Sequence, residues 1–479
     1  MGQFPPARGR VVIMRCTATL LLAFVGFVPR AQAVDLIEAW HAAQEHDLEY
    51  CAARASHDAG LARRSQGTAL WRPSVTLSGT AGKMSSNTQT SGAQFAAPGF
   101  AQTNGVAFNT SINEGNASNW AVSARQPLLS GERLAQSRQL ELAADLADMQ
   151  WQAARQALML RTVERYFDVA LAQESLRALR EQQDAVDRAL AEARERYRVG
   201  DIPITATHEA TARSEAIRAQ VLAAQTDLEL KQQALSDITG LAPQTLRPNV
   251  PAQDGSADNA ISQVQTLQRW LDQAAASNLD VRTQAANLEV ARQEAFKSRA
   301  ASSPSLDLVA KVGRDHLAGN GDFGPASTTA SSGMIGVQLT VPVFTGGYRS
   351  AQHEEAVDLA EKLRADEQRA RQQVALQTRA AWLGLTVGAG RVAALSAALD
   401  ASRARLDATR LGQQVGDRTT LDLLNAEADA SSAEMNLLQA RIGLLTERLH
   451  LAALAGALDE DQLKTVNANL QAARENNSP

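Results

Sequence analysis

The tripeptide Val-Gly-Asp occurs at Val199-Gly200-Asp201 and again at Val415-Gly416-Asp417, each time between the end of one long helical pattern and the start of another. From Gly200 the next pattern runs to Gly240, and from Gly416 an equally long one runs to Gly456. At the same offset of about 216 residues, the apolar stripe Leu176, Leu179, Val186, Leu190 falls on Val392, Leu395, Ser402, Leu406 with its phase unchanged. Pro127 to Gly131 aligns with Pro342 to Gly346, and Arg72-Pro73-Ser74-Val75 aligns with Ser303-Pro304-Ser305-Leu306. The chain therefore reads as a tandem duplication, with a first unit at 34–255, a second at 256–456 and a tail at 457–479. Whatever one half folds into, the other half must match.

Composition narrows what that fold is. Aromatic residues are only 4% of the chain, and Ala, Leu, Gln, Arg and Glu dominate, as in long helices and coiled coils. A mean hydropathy of -0.24 excludes a polytopic helical membrane protein, but a β-barrel has too weak a hydropathy signal to be excluded by it. Arg8, Arg10 and Arg15 precede an apolar run from Ala18 to Val28 and then Ala31-Gln32-Ala33, the pattern of a cleaved secretory leader at 1–33. Met14-Arg15 would itself make an ordinary leader start. Loss of Arg8, Arg10, Arg15 and Arg30 makes the formal net charge of -5 four units more negative, which disfavours nucleic acid as a partner. Cys16 leaves with the leader and Cys51 remains alone, so neither an intrachain disulfide nor a lipid-anchor cysteine is expected.

After the leader the pattern is helical from 35 to 70, broken near His46-Asp47, and it stops at Pro73, which pushes Arg72 out of the helical region. From Ser74 the period becomes two: Val75, Leu77, Gly79 and Ala81 alternate with Ser74, Thr76, Ser78 and Thr80, predicting a strand of about ten residues. The polar run 83–118 is expected as an exposed loop, after which Trp120, Val122, Ala124 and Gln126 alternate up to Pro127. In the second unit Leu306, Leu308, Ala310 and Val312 predict a third strand, 313–332 a loop, and Ile335 to Val343 a fourth strand. The hairpins 74–127 and 305–344 have the length and dyad alternation of membrane strands, with Pro73, Pro127, Pro304 and Pro342 at their junctions with helices.

Residues 132–198 contain no proline. At 1.5 Å per residue such a helix spans roughly 100 Å, so it must lie against others of its kind. Leu142, Leu146, Met149, Ala153, Leu160, Val163 and Phe167 follow a 3-4 spacing with a gap at Gln156, the period of a coiled-coil seam. Residues 349–412 repeat the design, with Gly384, Gly388 and Gly390 as an expected looser segment. Return helices are predicted at 204–239 and 419–455. The prolines 243, 248 and 251 mark an irregular connection over 241–260, and a helix from Asn278 to Ala301 climbs to Pro304. Four membrane strands cannot close a barrel, and open edges in lipid cost several kcal/mol per group, so several chains must pool their strands. The class expected is mainly α with a membrane β-barrel portion, an oligomeric channel with a helical tunnel.

Two stretches carry a family resemblance. The run Val415-Gly416-Asp417-Arg418-Thr419-Thr420-Leu421-Asp422-Leu423-Leu424-Asn425-Ala426, with Gly456 to Leu463 beyond it, closely resembles the last long hairpin of the TolC family of outer-membrane exit ducts. The junction Gly336 to Gly347 resembles that family's barrel-to-helix motif. Together with the duplication, the resemblance covers essentially the whole mature chain. It implies a homotrimeric α/β channel-tunnel with a twelve-stranded barrel and a twelve-helix tunnel, held in outer-membrane lipid. It also implies docking to a periplasmic adaptor (membrane fusion protein) through the tips Val199-Gly200-Asp201 and Val415-Gly416-Asp417. The pump implied is an inner-membrane ABC translocase, or alternatively an RND pump. Absence of a lipid-anchor cysteine and the match around Arg418 favour the type I branch, with exported protein as cargo, over the multidrug and metal efflux branches.

The same resemblance assigns a periplasmic gate. Arg418 matches the gate arginine and Thr205 its usual partner, while Asp422 matches the first carboxylate of the lumen constriction. Other positions depart: Gln413 stands for the gate tyrosine, Ala206 for the aspartate it would bond, and Asn425 for the second ring carboxylate. One carboxylate per chain instead of two implies weaker block by divalent cations. From spacing alone, Arg418 and Asp422 are equally a solvated i, i+4 pair.

Catalytic and cofactor signals are missing. His353-Glu354-Glu355 lacks the second histidine of a zinc-protease helix, and Gly319 to Gly324 opens no helix and reads as a surface loop. A periplasmic adaptor or other structural coiled coil is the competing class, but it needs small β-domains between its hairpin arms and the membrane. The loops at 83–118 and 313–332 are also compatible with a secondary receptor role. The tail is expected as a short helix at the tunnel's equator.

Overall fold

The computed structural model describes residues 34–476 apart from 97, 100, 244–247, 249, 251–265 and 323, and in it the duplication repeats element by element. The first unit is α1 (Leu36–His46), α2 (Leu48–Ala69), β1 (Ser74–Phe95), β2 (Thr103–Leu129), α3 (Gly131–Arg198) and α4 (Ile204–Thr239). The second is α5 (Leu267–Ser277), α6 (Leu279–Ala300), β3 (Ser305–Gly321), β4 (Gly324–Thr340), α7 (Tyr348–Gln414) and α8 (Thr420–Leu454), followed by α9 (Glu460–Asn476). Helices α1 and α5 both have 11 residues, α2 and α6 both 22, α3 and α7 have 68 and 67, and α4 and α8 have 36 and 35. The leader at 1–33, most of the 241–260 connection and the last three residues of the tail lie outside the described residues.

The break between α1 and α2 has a local cause that recurs between α5 and α6. Asp47 takes an extended backbone and its side chain accepts from the Tyr50 N–H, while Asn278 accepts from the Asp280 and Val281 N–H groups. Each is a helix N-cap placed where the preceding helix stops, so one strut becomes two. Helix α5 was not anticipated from the sequence, where the helical pattern begins only at Asn278. It is the counterpart of α1 in the first unit.

The strands form one antiparallel sheet in the order β1-β2-β3-β4. They run to 22, 27, 17 and 17 residues, not about ten, and the expected loops at 83–118 and 313–332 are largely strand. Lys83 pairs with Asn116 and Gln89 with Asn109, and Gly319 and Gly321 pair with Ala326 and Gly324, so this glycine-rich segment lies in a tight hairpin rather than in a surface loop. The cause is general: alternation announces a strand only where one face meets lipid or core. Above the membrane both faces meet water, and a paired strand can be polar throughout.

The expected looseness at Gly384, Gly388 and Gly390 is also absent, because α7 is one uninterrupted helix. A Cβ on Gly384 would lie 3.2 Å from the Glu447 side chain, and one on Gly388 would lie 3.2 Å from Leu444 Cδ1. Two of these glycines therefore let α8 approach α7 closely. Between α2 and α3 the same device is tighter, since a Cβ on Gly60 would lie 2.2 Å from Ala147 Cβ.

Among the described residues five apolar clusters hold the helices, the larger three as follows. Leu36 and Trp40 of α1, Leu463 and Leu470 of α9, and Leu449 of α8 close over Leu158, Tyr166 and Phe167 at the middle of α3. Each such side chain contributes roughly 1.5–3 kcal/mol by leaving water. Leu385, Val392 and Leu399 of α7 meet Leu437, Leu444 and Leu451 of α8. Near the tips, Leu424 of α8 is buried against Val186, Ala189 and Ile217, which joins the second hairpin to the first. On α3 the expected seam holds at Val163 and Phe167, while Leu142, Leu146 and Met149 stay half-exposed and Ala144 and Ala147 are buried instead. Small residues win there because α2 lies so close.

Candidate functional site: the two hairpin tips

Each long helix ends in the same backbone turn. Val199 and Val415 close their helices at φ -90°, ψ 0°, and Gly200 and Gly416 follow at φ +83°, a conformation that favours glycine. The Gly200 N–H donates to Tyr197 O at 2.9 Å and the Asp201 N–H to Arg196 O at 2.9 Å. At the second tip the Gly416 N–H donates to Gln413 O at 3.2 Å and the Asp417 N–H to Gly412 O at 2.9 Å. Both are Schellman motifs, which satisfy the last carbonyls of the helix and reverse the chain.

The side chains then diverge. At the first tip Arg196 Nε donates to Asp201 Oδ2 at 2.7 Å, and α4 starts after Pro203 with no side-chain cap. At the second tip the position equivalent to Arg196 is Gly412, and a Cβ there would lie 2.7 Å from Arg418 Cγ. The Arg418 side chain thus lies across the bare end of α7. Helix α8 begins with a capping box: Asp422 N–H donates to Thr419 Oγ1 at 3.1 Å, and Asp422 Oδ2 accepts from Thr419 N–H at 3.0 Å and from Thr419 Oγ1 at 2.8 Å. These bonds to Thr419, backbone first, with the nearby charge of Arg418, hold the Asp422 carboxyl below the usual carboxylate range.

Within one chain the assigned gate residues are not joined to one another. Among the described residues no hydrogen bond links Arg418 to Thr205 or Gln413 to Ala206, and the Arg418 guanidinium has no partner. Asn425 is engaged: Arg213 Nη1 donates to its Oδ1 at 2.7 Å, a charge-assisted bond from α4 to α8 just beyond buried Leu424. Arg213, Arg196 and Gly412 were not singled out from the sequence. Comparing the repeats would have exposed the Arg196-to-Gly412 exchange, whereas the Arg213–Asn425 contact spans 212 residues and has no local signal.

The arms behind the tips are braced unequally. In the second hairpin Arg405 pairs with Asp429, and Arg410 with Glu427 and Arg403 with Glu434, both at 3.5 Å. In the first, Ser214 Oγ donates to Asp187 at 2.7 Å and Lys231 stands 3.9 Å from Asp168. At the other end of the molecule, Pro73, Pro304 and Pro342 lie just outside the strands, while Pro127 lies within β2 opposite Asp307. Beside it a polar cavity of about 380 Å³ is lined by Arg125, Arg133, Asp307, Pro342 and Arg349. Buried Asp307 is paired there with Arg125 at 2.5 Å.

Comparison with known proteins places this architecture. The chain is 28% identical over 440 residues to the alkaline protease secretion protein AprF of Pseudomonas aeruginosa, covering 92% of this chain and 88% of that one. It is 27% identical over 450 residues to the proteases secretion protein PrtF of Dickeya chrysanthemi, covering 92% of each. Its fold matches the crystal structure of the outer membrane protein VceC of Vibrio cholerae with a TM-score of 0.68 at 17% identity, over 88% of this chain and 96% of that one. The model of the outer membrane efflux protein family matches residues 40–241 and 270–457, one segment in each repeat. The chain belongs to that family: it is an outer-membrane channel protein, of the TolC type its tip sequence resembles, with helices that extend into the periplasm.

Proposed function

We propose that three copies of this chain assemble into the outer-membrane exit duct of a type I secretion system, a passive path for protein from the cytoplasm to the exterior. The observation that carries the reading is the sheet: one face apolar and exposed, both edge strands unpaired, and too few strands to close. Three sheets of four strands make a twelve-stranded barrel with no open edge. The long helices then continue as a tunnel, and the Val-Gly-Asp tips are offered to a periplasmic adaptor and its inner-membrane ABC translocase. Protein as cargo is supported by the secretion names of the two relatives that match over 92% of the chain.

In this assembly Arg418 and Thr205, with Gln413 and Ala206, form the gate between neighbouring hairpins, and Asp422 and Asn425 face the constriction. The unpartnered Arg418 guanidinium supports a bond made only between copies. With Asn425 neutral and held by Arg213, divalent cations should block this channel less well than one with two carboxylates per chain; block of equal strength would reject that assignment. The function itself is tested by single-channel conductance of the purified chain, with its mass determined in the same detergent. A trimer giving small, cation-selective steps is expected, and a monomer without conductance would remove the barrel. Deleting the gene should abolish export of one or more proteins. Intact export with raised drug or metal sensitivity would move the chain to the efflux branch.

A further inference from the structure

The strand register sorts the sheet's side chains into two faces. Val75, Ala124, Ala310 and Ile335 share one row, and Leu77, Val122, Val312 and Gly333 the next, all on the same face. Leu308 with Val337, and Leu306 with Leu339, continue the band toward the helices. Ile335 is 77% exposed and Leu77 75%, so this is the lipid face.

Toward the hairpin turns the band ends at the row of Gly79, Trp120, Arg314 and Ser331. Each row rises about 5 Å for strands tilted as in membrane barrels, so Leu306 and Arg314 are separated by roughly 20 Å, close to the height of a barrel's apolar band. Trp120, 46% exposed, sits where such barrels have their interfacial aromatics. Because the helices leave from the opposite end, this rim is the outer-leaflet one.

Charge on the lipid face begins at this rim and has one sign. The cations are Arg314 in the rim row and Lys83 two rows above, opposite Asn116, with the His316 imidazole in the row between them beside Ser118 and Thr329. Across all four strands this face has no acidic side chain from the apolar band up to Lys83, among the described residues. The acids of the same stretch, Asp307 and Asp315, alternate onto the other face, where Asp307 is paired with Arg125. Arg314 and Lys83 have no ion-pair partner among the described residues. His316 Nδ1 is fixed 2.9 Å from Thr329 Oγ1.

We propose that Arg314, His316 and Lys83 form a binding ladder for the phosphates of lipid A in the outer leaflet, with the acyl chains lying on Val312, Val122 and Leu77. Unpaired cations pointing into lipid at the headgroup level need anions, and the lipid supplies them. The ladder continues about 10 Å above the rim, higher than one phospholipid headgroup layer of roughly 5–7 Å, and suits phosphates spread over a sugar headgroup.

The test is native mass spectrometry of the full mature chain in detergent, titrated with bisphosphoryl lipid A, monophosphoryl lipid A or phosphatidylglycerol. Wild-type protein should retain bisphosphoryl lipid A best. Arg314→Gln and Lys83→Gln should each weaken that retention about fivefold, the factor one basic residue near an anionic surface is worth. Arg314→Lys should keep it, and Asp315→Asn on the other face should leave it unchanged. Heat-modifiable migration confirms that each variant is folded. Equal retention of lipid A by wild type and the Arg314→Gln/Lys83→Gln double variant would overturn the ladder. Equal retention of phosphatidylglycerol and bisphosphoryl lipid A by the wild type would overturn the choice of lipid.

Discussion

The two tips are copies of one turn with different side-chain bonds around it. Both keep the Schellman frame, with glycine at φ +83° and the same pair of backbone bonds. What changed is the position of one arginine relative to the glycine. In the first tip Arg196 stands before the turn and closes onto Asp201, which makes the tip self-contained. In the second, the arginine stands after the turn, at the position of Ile202, and Gly412 has replaced its counterpart before the turn. Among the described residues the Arg418 guanidinium is thereby left without a hydrogen-bond or ion-pair partner, its charge reaching Asp422 only from nearby. The duplicated frame keeps its backbone chemistry in both copies, while the bracing arginine of the first has no bonded equivalent in the second.

The largest effect expected from breaking this comparison is at the shared glycines. Gly200→Val and Gly416→Val each force a β-branched residue into the left-handed region, at roughly 1–2 kcal/mol or more. Hydrogen exchange at each tip should report equal local destabilisation, because the frames are equal; a loss confined to one tip would break the equivalence. Next is the cap. Thr419→Ala removes the capping box and should destabilise the first turn of α8 by about 1 kcal/mol. Pro203→Ala should cost α4 far less, since no side-chain bond is lost. The same cap gives the second tip a pH dependence. The Asp422 carboxyl is held below its unfolded value, so its contribution is present above the ordinary carboxylate range and is lost as pH falls through the depressed value. Exchange in α8's first turn should therefore speed up on acidification in the wild type and be less pH-sensitive in Thr419→Ala.

The duplication made most of the fold legible, because a repeat states each element twice. The break at Asp47, the stop at Gly240 and the turn at Gly416 could each be checked against a partner position. Legibility failed where the signal depended on an environment the sequence does not display. The strands beyond Lys83 and Gly313 look like loops in the sequence because both of their faces meet water, which erases alternation. Gly384 and Gly388 look like weak points in the sequence because a glycine in a helix is costly in isolation, and only the approach of Glu447 and Leu444 shows its use. At the tips the turn itself is plain in the sequence, whereas the bonds that tie Asp422 to Thr419 show only in the structure. Arg213, reaching Asn425 from the other repeat, left no trace in either local sequence.

The smallest stability effects distinguish the two arginines. Arg196→Ala removes an exposed ion pair and should cost the first tip no more than a few tenths of a kcal/mol, with channel conductance unchanged. Arg418→Ala removes a side chain that bonds nothing in its own chain, so hydrogen exchange at the second tip should barely move. On the proposed bond between copies, its conductance should nevertheless rise. That dissociation is decisive: a residue whose loss opens the channel without loosening its own hairpin must act on a neighbouring copy. If Arg418→Ala loosens α8 as much as Thr419→Ala does, its place across Gly412 is structural, and the two tips differ only in which side of the turn holds the bracing arginine.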